Sequence, residues 1–121
     1  RLGSVWCEVA GGDIYFTGGK DQDGYDAVNE VVRVSVSSLE LTQESAMLSA
    51  RSFHGSAYDN IYLYAIGGDN WEAKNECERL LVNEDRWEAL QPLPKGGVCV
   101  SVVAVKETEC LYALGGFGED G

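Results

Sequence analysis

Histidine, proline, methionine and positive charge are all scarce in this chain. Its 121 residues include one histidine, two prolines, one methionine and nine bases. A lone imidazole, His54, leaves little scope for a Ser-His-Asp triad, and no G-x-S-x-G elbow accompanies it. Zinc needs clustered thiolates and imidazoles, yet Cys7, Cys77, Cys99 and Cys110 form no CxxC pair. Nine bases against twenty acids give a net charge of −11. Such a field repels phosphate backbones and anionic lipid heads, so neither nucleic acid nor membrane is an expected partner. No apolar run is long enough to span a bilayer, and the first 20 residues carry no secretion-signal pattern.

The rest is an ordinary folded composition, 45% hydrophobic and 24% charged, with 15 glycines. Cys7, Cys77 and Cys99 sit in the apolar stretches VWCEV, NECERLL and GVCVSVV, where a free thiol behaves as a small hydrophobe. Reduced cysteines and a cytoplasmic location are therefore expected, with two disulfides in a secreted domain as the alternative.

Internal repetition carries the most information. IYFTGG at 14–19, LYAIGG at 63–68 and LYALGG at 111–116 place glycine pairs 49 and then 48 residues apart. NEVVRV at 29–34 is matched by NECERL at 75–80, and 12 residues separate Asn29 from Leu41 just as they separate Asn75 from Trp87. A three-residue insertion falls in the loop after the first glycine pair, where length changes are tolerated. Each unit reads as four short strands: 3–9, 13–18, 31–36 and 39–44, then 54–58, 61–66, 76–82 and 85–90. Two more follow at 98–105 and 110–114. Residues 76–82 have helical composition, but their counterpart at 30–36 is β-branched, which favours strand.

A period near 50 with four strands per unit points to a β-propeller blade. The motifs resemble the kelch family: IYFTGG, then Asn29, Val31 and Arg33, then Met47, then RSFHG at 51–55. The second copy has LYAIGG, Asn75, Arg79 and Trp87, then QPLPKGG. Departures are the loss of the kelch tyrosine (Val34 and Leu80) and of the first tryptophan (Leu41), and KGGVCV where R-x-x-H-G would stand. The expected fold is all-β, a kelch-type β-propeller fragment of about two and a half four-stranded antiparallel blades. The blades divide as 1–50, 51–94 and, for the half blade, 95–121. A closed ring of even four blades needs about 200 residues, so these 121 are expected to form part of one.

Chemistry finds little support. The glycine pairs are followed by neither Lys-Ser/Thr nor a helix, so they read as turns rather than phosphate cradles. The acid pairs Asp21/Asp23, Glu84/Asp85 and Glu119/Asp120 lie in polar loops, not in the contrasting environments that acid–base catalysis needs. His54 reads as a packed residue at the start of a strand. No enzyme activity, cofactor or metal is expected.

The resemblance implies a protein-binding role. Kelch blades that follow a BTB domain serve as substrate adaptors of cullin-type ubiquitin ligases, and their loops after the glycine pair and at R-x-x-H contact a target peptide. Carried over by motif, those positions are Lys20, Gln22, Tyr25, Arg51, Phe53, Asp69, Trp71 and Phe117. Aromatics and arginine are also the residue types that dominate interface energetics. The alternatives are an actin-binding cytoskeletal kelch protein and, third, a kelch-propeller oxidase or sugar-processing enzyme.

Overall fold

The computed structural model describes residues 2–97, 101–105 and 110–114. Strands β1 (Val5–Glu8), β2 (Ile14–Thr17), β3 (Val31–Val34) and β4 (Leu41–Glu44) form one antiparallel meander. A second follows with β5 (Gly55–Tyr58), β6 (Tyr62–Ile66), β7 (Cys77–Leu81) and β8 (Arg86–Leu90). A separate two-stranded hairpin pairs β9 (Ser101–Val105) with β10 (Cys110–Leu114). All ten strands fall within the ranges expected from the sequence. Among the described residues the only helical turns are two three-residue 3-10 segments, Ala10–Gly12 and Val82–Glu84.

The contested segment at 76–82 is strand. Register places Leu80 between Leu63 and Trp87, so its side chain completes an apolar row across three strands. Cross-strand packing of that kind overrides the helical propensity of Glu, Arg and Leu.

Hydrogen bonding makes the repeat physical. Gly18 N–H donates to Glu30 O at 2.9 Å, and Gly67 N–H to Glu76 O at 3.0 Å. Val28 to Gly19, Met47 to Asn29 and Arg51 to Val28 recur as Lys74 to Gly68, Leu93 to Asn75 and Gly97 to Lys74. Past the three-residue insertion each equivalent lies 46 positions on, whereas the glycines themselves are 49 apart.

The glycine pairs permit a close backbone approach. Gly19 N–H bonds Arg51 O at 2.9 Å and Gly68 N–H bonds Gly97 O at 2.7 Å, so each pair receives the segment leading to the next sheet. A Cβ on Gly18 would stand 2.1 Å from Arg51 O, and its φ of +64° already disfavours any side chain.

The core lies between the first two sheets. Val9, Tyr15 and Val31 from the first, Met47 from the connection, and Leu63, Ala65, Leu80 and Trp87 from the second are buried together. Burial follows the two-residue period, with Leu63 and Ala65 of β6 facing the first sheet. Each such large side chain contributes about 1.5–3 kcal/mol. The opposite face of the first sheet carries Trp6 directly across from Phe16, both exposed.

Polar contacts fix the connection between these sheets. Trp87 Nε1–H donates to Ser45 O at 2.9 Å, and Asp85 accepts from both Ser45 N–H and its hydroxyl. Glu78 of β7, fully buried, accepts from the Leu48 and Ser49 N–H groups at 2.6 and 3.1 Å and from Arg51 Nη2 at 2.8 Å. The other Arg51 nitrogen, Nη1, donates to Gly67 O and Glu76 O at 2.9 and 2.7 Å. One ion pair thus ties the connection, the glycine turn and β7 together.

Candidate functional site

The antiparallel order puts the β2–β3 loop, the β6–β7 loop and the β4–β5 connection on one edge of the molecule. The two loops touch through the residue that follows each glycine pair. Lys20 Nζ lies 3.1 Å from Asp69 Oδ1, both side chains mostly covered. Asp69 also accepts a short hydrogen bond from the hydroxyl of buried Ser52. These two residues hold equivalent places in successive repeats: Lys20 N–H bonds Leu2 O, and Asp69 N–H bonds Ser52 O.

Further out, Ala27 N–H donates to Asn70 Oδ1 at 3.2 Å, and Trp71 Nε1–H donates to Asp26 Oδ1 at 2.6 Å. Tyr25 and Trp71 lie parallel, their planes 1° apart and their centroids 6.3 Å apart. Both are exposed, Tyr25 by 65% and Trp71 by 69%. Trp71 holds a φ of +72°, a region that side chains resist. Tyr25 N–H is anchored on Asp21 Oδ1 at 3.2 Å, within the turn that Gly24 N–H closes onto Asp21 O. Two aromatic faces are therefore presented to water by loops bonded to each other rather than by free strands.

The remaining positions read from the motif behave differently. Gln22 is exposed in the same turn. Phe53 is half-buried with a φ of +51°, its N–H donating to Gly3 O at 2.8 Å and its ring lying close above Gly3. The contact role expected for Arg51 needs correction. The residue is 0% exposed and both terminal nitrogens are taken by Glu78 and two carbonyls, beyond the reach of a partner. Phe117, with the loop at 117–121, lies outside the described residues.

Asp26 and Asn70, which join the loops, were not singled out from the sequence; a polar residue beside each loop aromatic is the only signal there. Glu78 had a clearer one. In CERLL it shares the face of Leu80, and an acid on a buried face requires a cation.

His54 is packed, as its position before β5 suggested. Its Nε2 lies 2.7 Å from Thr17 Oγ1, while Nδ1 is buried with no hydrogen-bond partner. Burial, and then the nearby Arg51 charge, lower its pKa to about 3, so the ring is neutral under ordinary conditions. Cys7 and Cys77 are free thiols, and burial raises the pKa of each. Among the described residues no three His, Cys, Asp or Glu side chains converge as metal ligands, and no helix is long and apolar enough to cross a membrane.

Meanders of four antiparallel strands, repeated and joined through glycine pairs, make the chain an all-β, partial kelch-type β-propeller. No family model matches the sequence. Among curated proteins it is similar to Kelch-like protein 21 of Rattus norvegicus, 40% identical over 73 residues. That stretch is 60% of this chain and 12% of the relative, so the likeness spans only a small part of the relative's length.

Proposed function

We propose that the chain is a non-catalytic protein-binding module, organised as blades 1–50 and 51–94 with a half blade at 95–121, that captures a protein or peptide on the edge formed by its β2–β3 and β6–β7 loops. The observation that carries this reading is the parallel Tyr25–Trp71 pair, exposed yet fixed by Lys20–Asp69, Ala27–Asn70 and Trp71–Asp26 bonds. Exposed aromatics held in place lose little conformational freedom on binding and are the commonest interface anchors. Lys20, Gln22, Tyr25, Asp69 and Trp71 form the contact set, with Phe53 at its margin and Phe117 as the counterpart from the third repeat.

The likeness to a Kelch-like protein supports a finer assignment: the target-recognition part of a BTB-kelch adaptor, acting in the cytoplasm with a cullin-type ubiquitin ligase. Affinity capture with wild type, Tyr25→Ala and Trp71→Ala tests the binding role. Both substitutions reduce capture at least tenfold, as befits anchor residues, while the melting temperature moves by only a few degrees. Undiminished capture by both variants refutes the assignment of the surface.

A further inference from the structure

The chemistry around the aromatic pair singles out one kind of partner. Trp71 Nε1–H is bound to the Asp26 carboxylate at 2.6 Å, which draws negative potential toward the indole. Asp23 and Glu72 are exposed in the same two loops, and Asp21 lies at the base of the Tyr25 turn. The bases of this edge are engaged elsewhere: Lys20 with Asp69, Lys74 with Glu76 at 3.3 Å, and Arg51 with Glu78. Lys95 stands exposed on the following connection. The Tyr25–Trp71 pair thus has the Asp26 carboxylate on the indole edge and two more exposed carboxylates, Asp23 and Glu72, in its own loops, within a chain of net charge −11.

We propose that the Tyr25–Trp71 pair docks an arginine-bearing basic segment of a partner protein, an inference that rests on the protein-binding reading above. A guanidinium is planar and weakly hydrated; it stacks on an aromatic face while its edge N–H groups donate to neighbouring carboxylates. Asp23, Asp26 and Glu72 supply those acceptors. A lysine ammonium makes the same charge contact without the stacking, and an acidic segment meets repulsion from three carboxylates and from the whole molecule.

The test selects displayed random peptides on the immobilised protein, with Trp71→Ala selected in parallel. Enrichment of arginine-containing sequences that Trp71→Ala abolishes supports the proposal. Enrichment of acidic or uncharged sequences that still depends on Trp71 overturns the arginine assignment and leaves the protein-binding reading standing. No Trp71-dependent enrichment overturns both.

A titration then gives the chemistry directly. An acetylated Gly-Ser-Arg-Gly-Arg-Ser peptide shifts the Trp71 indole N–H resonance and spares those of Trp6 and Trp87. The lysine counterpart binds at least threefold more weakly, and the glutamate counterpart not at all. Asp23→Asn combined with Glu72→Gln, both exposed, weakens the arginine peptide roughly threefold to tenfold. Equal shifts from the arginine and glutamate peptides overturn the proposal.

Discussion

Replacing Arg51 with methionine keeps an apolar stem in place and removes the guanidinium. Glu78, at 1% exposure, then retains only the Leu48 and Ser49 N–H groups; the Gly67 carbonyl loses the Arg51 donor, and that of Glu76 keeps only the Gly67 N–H. Removing one partner of a buried pair leaves an uncompensated charge and costs about 3–5 kcal/mol. That is a large part of the 5–15 kcal/mol that holds a typical domain folded. In urea unfolding, with a slope near 2 kcal/mol/M, the midpoint falls by about 2 M. The double variant Arg51→Met/Glu78→Met removes the stranded charge but orphans two N–H groups at about 1–3 kcal/mol each. It is therefore less destabilised than the sum of its parts, and the cycle reads out the coupling. An Arg51→Met midpoint within about 0.5 M of wild type would refute the account of how the two sheets are joined, and would reopen a contact role for this arginine.

Two further perturbations probe the same architecture. Gly18→Ala drives a methyl into Arg51 O at 2.1 Å, whereas Gly24→Ala, also at positive φ, meets nothing within 4 Å. Melting should show a loss of about 1–2 kcal/mol for Gly24→Ala and clearly more for Gly18→Ala; equal losses would contradict the close approach. His54 carries a pH dependence. Its folded pKa, about 3, lies below the ordinary 6.5, so the unfolded chain takes up a proton as pH drops below 6.5 and the folded chain does not. Stability falls by about 1.4 kcal/mol per pH unit in that window, or about 2 kcal/mol by pH 5, the loss levelling off near pH 3. His54→Gln flattens the profile between pH 7 and 5, and profiles of equal steepness would refute the buried neutral ring.

Sequence reasoning reached the strands because their signals are local. Valine alternation, the glycine pairs and the 46-residue offset past the insertion all survive in a one-dimensional pattern, and even the 76–82 segment was decided by its counterpart at 30–36. The edge was legible in part. Tyr25 and Trp71 announce themselves as aromatics in polar loops, and the residue after each glycine pair was marked by the motif. That Lys20 and Asp69 bond each other was not readable, since the pairing joins equivalent positions of two repeats and depends on how the sheets stack. Arg51 misled for a related reason. A motif preserves residue type and spacing, but burial is set by Glu78, 27 positions away on a different strand.

The protein-binding surface is tested most directly by photo-crosslinking from Gln22, exposed beside Tyr25, against Ser38, exposed on the opposite edge between β3 and β4. With p-benzoylphenylalanine at each position in turn, the account predicts covalent protein adducts from position 22 that disappear with Trp71→Ala, and none from position 38. Adducts from position 38 alone, or adducts from position 22 that ignore Trp71, would contradict it.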